Sequence, residues 1–85
     1  MINKSKIYAN VVSVSRTGMS RKIKFYQVQD GCIRSITEEL AELTGFKLDK
    51  GWALEVKGCG MDMIWHVLDV AHRQNEDINI NYINL

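Results

Sequence analysis

Asp30-Gly31, set between Lys22-Ile23-Lys24-Phe25-Tyr26-Gln27-Val28 and Cys32-Ile33-Arg34, constrains this chain more than any other feature. Both central residues of a tight type I′ turn need positive φ, which Asp tolerates and Gly adopts freely, so the flanking runs are expected to be neighbouring antiparallel strands. Alternation in the first run places Ile23 and Phe25 on one face and Lys22 and Lys24 on the other. Upstream, residues 6–15 are rich in β-branched side chains and read as a strand partly covered on both faces. Between these strands Arg16-Thr17-Gly18-Met19-Ser20-Arg21 supplies turn chemistry, which makes a hairpin with a basic tip.

Ser35-Ile36-Thr37-Glu38 has the form of a capping box, with Ser35 accepting from the third helical amide and Glu38 reaching back, so a helix is expected from there. Ile36, Leu40 and Leu43 recur at helical intervals, Glu38, Glu39 and Glu42 take the outer face, and Gly45 stands where a left-handed cap ends a helix. A polar turn through Lys50-Gly51 leads to Trp52-Ala53-Leu54-Glu55-Val56-Lys57, whose alternation predicts a strand with Trp52, Leu54 and Val56 inward. After Gly58-Cys59-Gly60, residues 61–74 carry Met61, Ile64, Trp65, Leu68 and Ala71 or His72 at three- and four-residue spacing, a second amphipathic helix. Ile78, Ile80 and Tyr82 alternate with Asn in the tail, which either adds an edge strand or frays. The expected fold class is therefore α+β, an antiparallel sheet of three to five strands packed against two helices in the order β-β-β-α-β-α, with an optional C-terminal strand.

A chain of 85 residues has room for one core, so residues 1–85 are expected to form a single domain, and a homodimer would add to its modest stability. A net charge of +1 argues against coating nucleic acid by bulk electrostatics and makes any anion site local. The charges are uneven: Lys4, Lys6, Arg16, Arg21, Lys22, Lys24 and Arg34 face a single acid, Asp30, in the first part of the chain, and the acids gather after Glu38. This asymmetry predicts a basic edge and an acidic face. No stretch approaches the roughly 20 apolar residues of a membrane span, and no signal-peptide core precedes Cys32 and Cys59, so reduced thiols, no membrane contact and the cytoplasm of a host cell are expected.

Two glycine-bearing segments carry the candidate chemistry. Ser15, Arg16, Thr17, Gly18, Ser20, Arg21 and Lys22 gather hydroxyls, two guanidiniums and an ammonium around a flexible residue, a composition that suits phosphate, although such a tip also serves to keep a sheet edge soluble. Gly58, Cys59, Gly60 and Asp62 lie between a strand and a helix, where free amides and the helix dipole favour an anion and Asp62 either caps the helix or accepts from a base or ribose. It is neither a P-loop, for want of Gly-Lys-Ser/Thr, nor a dinucleotide fingerprint. Cys59, Asp62 and His66 are the only set with metal-ligand spacing, and they lack the second Cys or His pair of a zinc site, so no metal and no cofactor are expected. Cys59 with His66 as base has no orienting third group, so the chain reads as a binding protein rather than an enzyme.

Val12-Ser13-Val14-Ser15-Arg16-Thr17-Gly18-Met19-Ser20-Arg21 and Val56-Lys57-Gly58-Cys59-Gly60-Met61-Asp62-Met63, followed by His66, resemble the motifs of a group of small, largely uncharacterised proteins encoded by bacteriophages and prophages. The likeness runs from about Val11 to Val70, with Ile64-Trp65 where those proteins tend to have Gly-Phe, and with a different, Asn-rich ending. The resemblance implies an accessory phage gene, and such genes commonly block host defences by sequestering a nucleotide or occluding a defence protein. Two readings follow. In one, the Arg16–Lys22 loop and the Gly58–Asp62 turn hold a phosphate-bearing ligand, a nucleotide or nucleic-acid end. In the other, the basic hairpin edge and acidic helix bind a host defence protein, with a metal- or thiol-dependent enzyme as a third alternative.

Overall fold

The computed structural model describes residues 6–57 and 62–85. β1 (Lys6–Val14) and β2 (Ser20–Gln29) form the expected hairpin, and Asp30 and Gly31 turn at φ 52° and 77° to start β3 (Cys32–Ser35) along the other edge of β2. The ladder does not stop at Ser35, because the amide of Ile36 still donates to the carbonyl of Phe25 at 3.0 Å. α1 (Thr37–Thr44) therefore begins later than a capping box on Ser35 requires; its N-cap is Ile36, with no side-chain cap bond. The cause is burial: Ile36 enters the core, and the Thr37 hydroxyl instead accepts from the Phe25 amide at 2.9 Å and donates to its carbonyl at 3.2 Å. At the other end Gly45, at φ 79°, closes the helix as its sequence position predicts.

β4 (Lys47–Leu48), a two-residue strand that the polar turn concealed, pairs with β5 (Leu54–Lys57). β5 lies on the same edge of β2 as β3 but opposite its first half, from Ser20↔Lys57 to Ile23↔Leu54. α2 (Met63–Gln74) then carries the chain to the far edge, where β6 (Tyr82–Asn84) runs parallel to β1. The order is β4-β5-β2-β1-β6 with β3 beside β2. The fold is α+β as expected, but its sheet is mixed rather than wholly antiparallel, and the tail contributes the parallel strand.

One sheet face presents Ile7, Ala9, Ile23, Phe25, Leu54 and Val56 to both helices. Ile36 and Leu40 around α1 and Met63, Ile64, Val67, Leu68 and Ala71 of α2 complete the core, with Ile78 beneath the tail. Period 2 on the strands and 3.6 on the helices thus meet in one apolar layer. The other sheet face is covered by no helix. Two tryptophans depart from expectation. Trp52 precedes β5, at φ 62° and 62% exposed, because the Asp49 carboxylate draws the amides of Gly51 and Ala53 into a tight turn that swings Trp52 outward. Trp65 is exposed as well, since Met63, Ile64 and Val67 already fill the inward stripe of α2.

Candidate functional site

The hairpin tip is built by its own hydroxyls. Ser15 donates its amide to the Ser20 carbonyl at 2.8 Å, while its Oγ accepts from the Ser20 amide at 3.0 Å and Thr17 Oγ1 accepts from the Met19 amide at 3.4 Å. Gly18 takes φ 75° and gives its amide to the Ser15 carbonyl. Ser15, Thr17 and Gly18 therefore shape the turn, and Arg16 projects from it with no ion pair among the described residues.

Strand alternation then separates Arg21 from Lys22. Arg21 stands opposite Val14 and Val56 on the helix-covered side, where its Nε is shielded from water with no hydrogen-bond partner among the described residues. Lys22, one residue on, faces the open side, and its Nζ lies 3.0 Å from Asp49 Oδ2. The Ala53 amide first, and Lys22 next, hold the Asp49 carboxyl below its ordinary value. Lys22 thus belongs to the Asp49 turn and points away from the face that Arg21 occupies.

His66 joins the Arg21 side from above. Its ring packs at 5.9 Å, tilted 59°, against Phe46. Because Lys47 pairs with Glu55, Phe46 continues that register opposite Val56, in the cross-strand row of Arg21. Asp62 is the cap of α2: Oδ1 accepts from the amides of Ile64 at 3.0 Å and Trp65 at 3.2 Å, and Oδ2 accepts from the Tyr82 hydroxyl. Burial, and secondly the hydrogen bond and charge of Asp62, push the Tyr82 hydroxyl up to about 12. With both oxygens so used, Asp62 is the structural cap, not an acceptor held ready for a base or ribose.

Gly58, Cys59 and Gly60 lie outside the described residues. Their flank does not: Lys57 is paired with Ser20, at the hairpin-tip end of β2. Ser20, Arg21, His66 and this flank share one end of the sheet, whereas Lys22 and Asp62 are engaged elsewhere. Among the described residues no three His, Cys, Asp or Glu side chains gather as a metal site, and Cys59 of the trio considered above is not among them. Among them, too, no helix is long and apolar enough to cross a membrane.

Sequence reasoning passed over Phe46 and Asp49. Asp49-Lys50-Gly51 carries the signature of a side chain accepting from the backbone two residues on, which would have found the Asp49 turn. Nothing local marks Phe46, whose place is set by the pairing of β4 with β5. The chain matches no family model, no curated protein and no solved structure.

Proposed function

We propose that this protein binds a small phosphate-bearing ligand, a nucleotide in the first instance, at the end of the sheet where Arg21 and the Ser20–Lys57 pair lie. One observation carries the reading: the Arg21 Nε, on the core side of the sheet opposite Val56, is shielded from water and has no hydrogen-bond partner among the described residues. A shielded cationic donor left without an acceptor is costly, and an anionic ligand would remove that cost. Arg16 adds a second fork from the tip, and His66 stands over Phe46, which continues the row of Val56 and Arg21. Arg34, by contrast, is bonded to Glu39 of α1 and to Gln27, and takes no part. Sequestering a signalling nucleotide as a phage-encoded counter-defence protein fits this arrangement and the resemblance of its two motifs.

Isothermal titration with mono-, di- and cyclic nucleotides tests it. The expected result is saturable binding that Arg21→Gln weakens about 10- to 100-fold, the loss of a charge-assisted bond or two. Absence of heat and of thermal shift with every nucleotide overturns it. A second reading, an inhibitor that occludes a host defence protein, is favoured by Val12, Val14 and Met19, which stand exposed along the hairpin. Beyond Ala9 the outer edge of β1 is unpaired among the described residues, which suits addition of a partner strand. Capture of a defined host protein, lost in Val12→Asp, would favour that reading over the first.

A further inference from the structure

The open face of the sheet has a charge and an aromatic arrangement that the Arg21 site does not use. Cross-strand register fixes which side chains share it. Tyr8 lies opposite Tyr26, Asn10 opposite Lys24, Lys6 opposite Val28, and Lys22 opposite both Ser13 and Glu55. Lys47 flanks Glu55 on β4 and Lys57 flanks Ser20 on β5, which puts five lysines, Lys6, Lys22, Lys24, Lys47 and Lys57, on this face. Glu55 is the single carboxylate carried by any strand, whereas Glu38, Glu39 and Glu42 lie on α1 across the sheet. A chain of net charge +1 has thus sorted its charge into a basic sheet face and an acidic helical side. Of the five lysines only Lys22 has an ion pair among the described residues.

At one end of this face Tyr8, Asn10, Tyr26, Val28, Ile33 and Leu85 line an open groove of about 640 Å³, within the size range of ligand sites. Ile33 and Leu85, 74% and 67% exposed, give the groove an apolar rim. Tyr8 and Tyr26 are cross-strand neighbours that both line the groove, within reach of a third planar group. From Tyr26 the face leads through Lys24 and Lys22 to Lys57, level with Ser20 beside the hairpin tip, a lane of roughly 20 Å at 3.3 Å per residue.

We infer that the open sheet face binds single-stranded nucleic acid, with bases stacked on Tyr8 and Tyr26 and the phosphate backbone running past the Asp49-bound Lys22 between Lys24 and Lys57. The reasoning is charge complementarity joined to aromatic spacing. A polyanion complements the lysines, and a polyanion that also carries exposed planar bases uses the two tyrosine rings of an apolar groove. Duplex is a poor fit, because its bases are stacked inside and offer the tyrosines no face. Asn10, beside Lys24 in the groove, offers a donor and an acceptor to a base edge. This surface is distinct from the Arg21 site and goes beyond the nucleotide reading.

Fluorescence anisotropy of labelled single-stranded DNA and RNA, each about 12 nucleotides long, titrated with the full chain, tests the inference. Saturable binding is expected to weaken with salt, with a log–log slope of about −2 to −3 for three to four neutralised phosphates. Tyr26→Leu, which keeps the apolar filling and removes the stacking ring, should lower affinity about 5- to 100-fold. Lys24→Glu should weaken binding and flatten the salt slope by about 0.7 or more. Arg21→Gln should leave oligonucleotide binding intact while weakening nucleotide binding, so the two proposals fail separately. The DNA and RNA arms report whether a 2′-hydroxyl contributes. No binding of either strand overturns the inference, as does wild-type affinity in both Tyr26→Leu and Lys24→Glu. A concentration-dependent dimer in sedimentation that Tyr26→Leu dissolves, without oligonucleotide binding, also overturns it and assigns the face to a second copy.

Discussion

Phe25 and Tyr26 are adjacent in β2 and similar in size, yet one is sealed beneath two helices and the other lines an open groove. The same division runs through the whole sheet: Ile23 against Lys24, Val56 against Lys57, Ile7 against Tyr8. The helix-covered face is a stability surface, where each side chain is fixed by its neighbours. The open face holds two tyrosines and five lysines, of which only Lys22 has an ion pair among the described residues. In a small domain with little core to spare, leaving one sheet face bare is a cost that binding can offset.

The sharpest test of this division is the neighbouring pair. Phe25→Ala should cost about 3–5 kcal/mol, half or more of a total of roughly 5–8 kcal/mol, and leave a marginally stable protein. Tyr26→Ala should cost well under about 1 kcal/mol in the same urea titration. Equal losses would show that the open face is covered in solution and break the comparison.

Thr37→Val comes next, because it keeps the shape and removes the hydroxyl that serves the Phe25 amide. Leaving that amide buried without its acceptor should cost about 1–3 kcal/mol by denaturant midpoint. Asp62→Ala removes the cap of α2 at about 1 kcal/mol. It should also bring the Tyr82 titration down from about 12 towards 10.0, read by tyrosinate absorbance. Tyr82 has a raised folded-state value, so its contribution to stability is complete below pH 10 and fades between about 10 and 12 in the wild type. In Asp62→Ala that alkaline loss should shrink.

Trp52→Gly gives the smallest effect. Relief of a left-handed backbone is worth about 1–2 kcal/mol and the added unfolded-state freedom of Gly removes roughly 0.5–1, so the variant should be slightly more stable. A ligand affinity that falls in this variant would extend the working surface to the exposed indole.

Much of the fold was legible because local chemistry and tertiary structure agree. Asp30-Gly31, Gly18 and Gly45 all adopt the positive φ their positions predict, and the lysines and apolar residues of β2 divide between faces as their alternation requires. The misreadings share one cause, a local signal overridden by a distant contact. Ser35 looked like a cap, but its strand continues because Ile36 is wanted in the core. Trp52 fitted an alternating strand, but Asp49 bends the chain first. The candidate site was legible in part. Arg16, Arg21 and the flank of the Gly58 turn do come to one end of the sheet, through the pairing of Ser20 with Lys57. That Arg21 and Lys22 part company follows from period 2, whereas the claims of Asp49 on Lys22 and of Tyr82 on Asp62 depend on long-range placement that no window reveals.

The parallel pairing of β6 with β1 has a kinetic consequence. Ile7 and Tyr82 meet only after nearly the whole chain between them has been gathered, while the β1–β2 and β2–β3 hairpins close over a few residues. Loop closure over such a span is slow relative to hairpin formation, so β6 should zip last and detach first. Amide exchange should therefore be fastest along Tyr82–Asn84, and each such opening would free the outer edge of β1 for another strand.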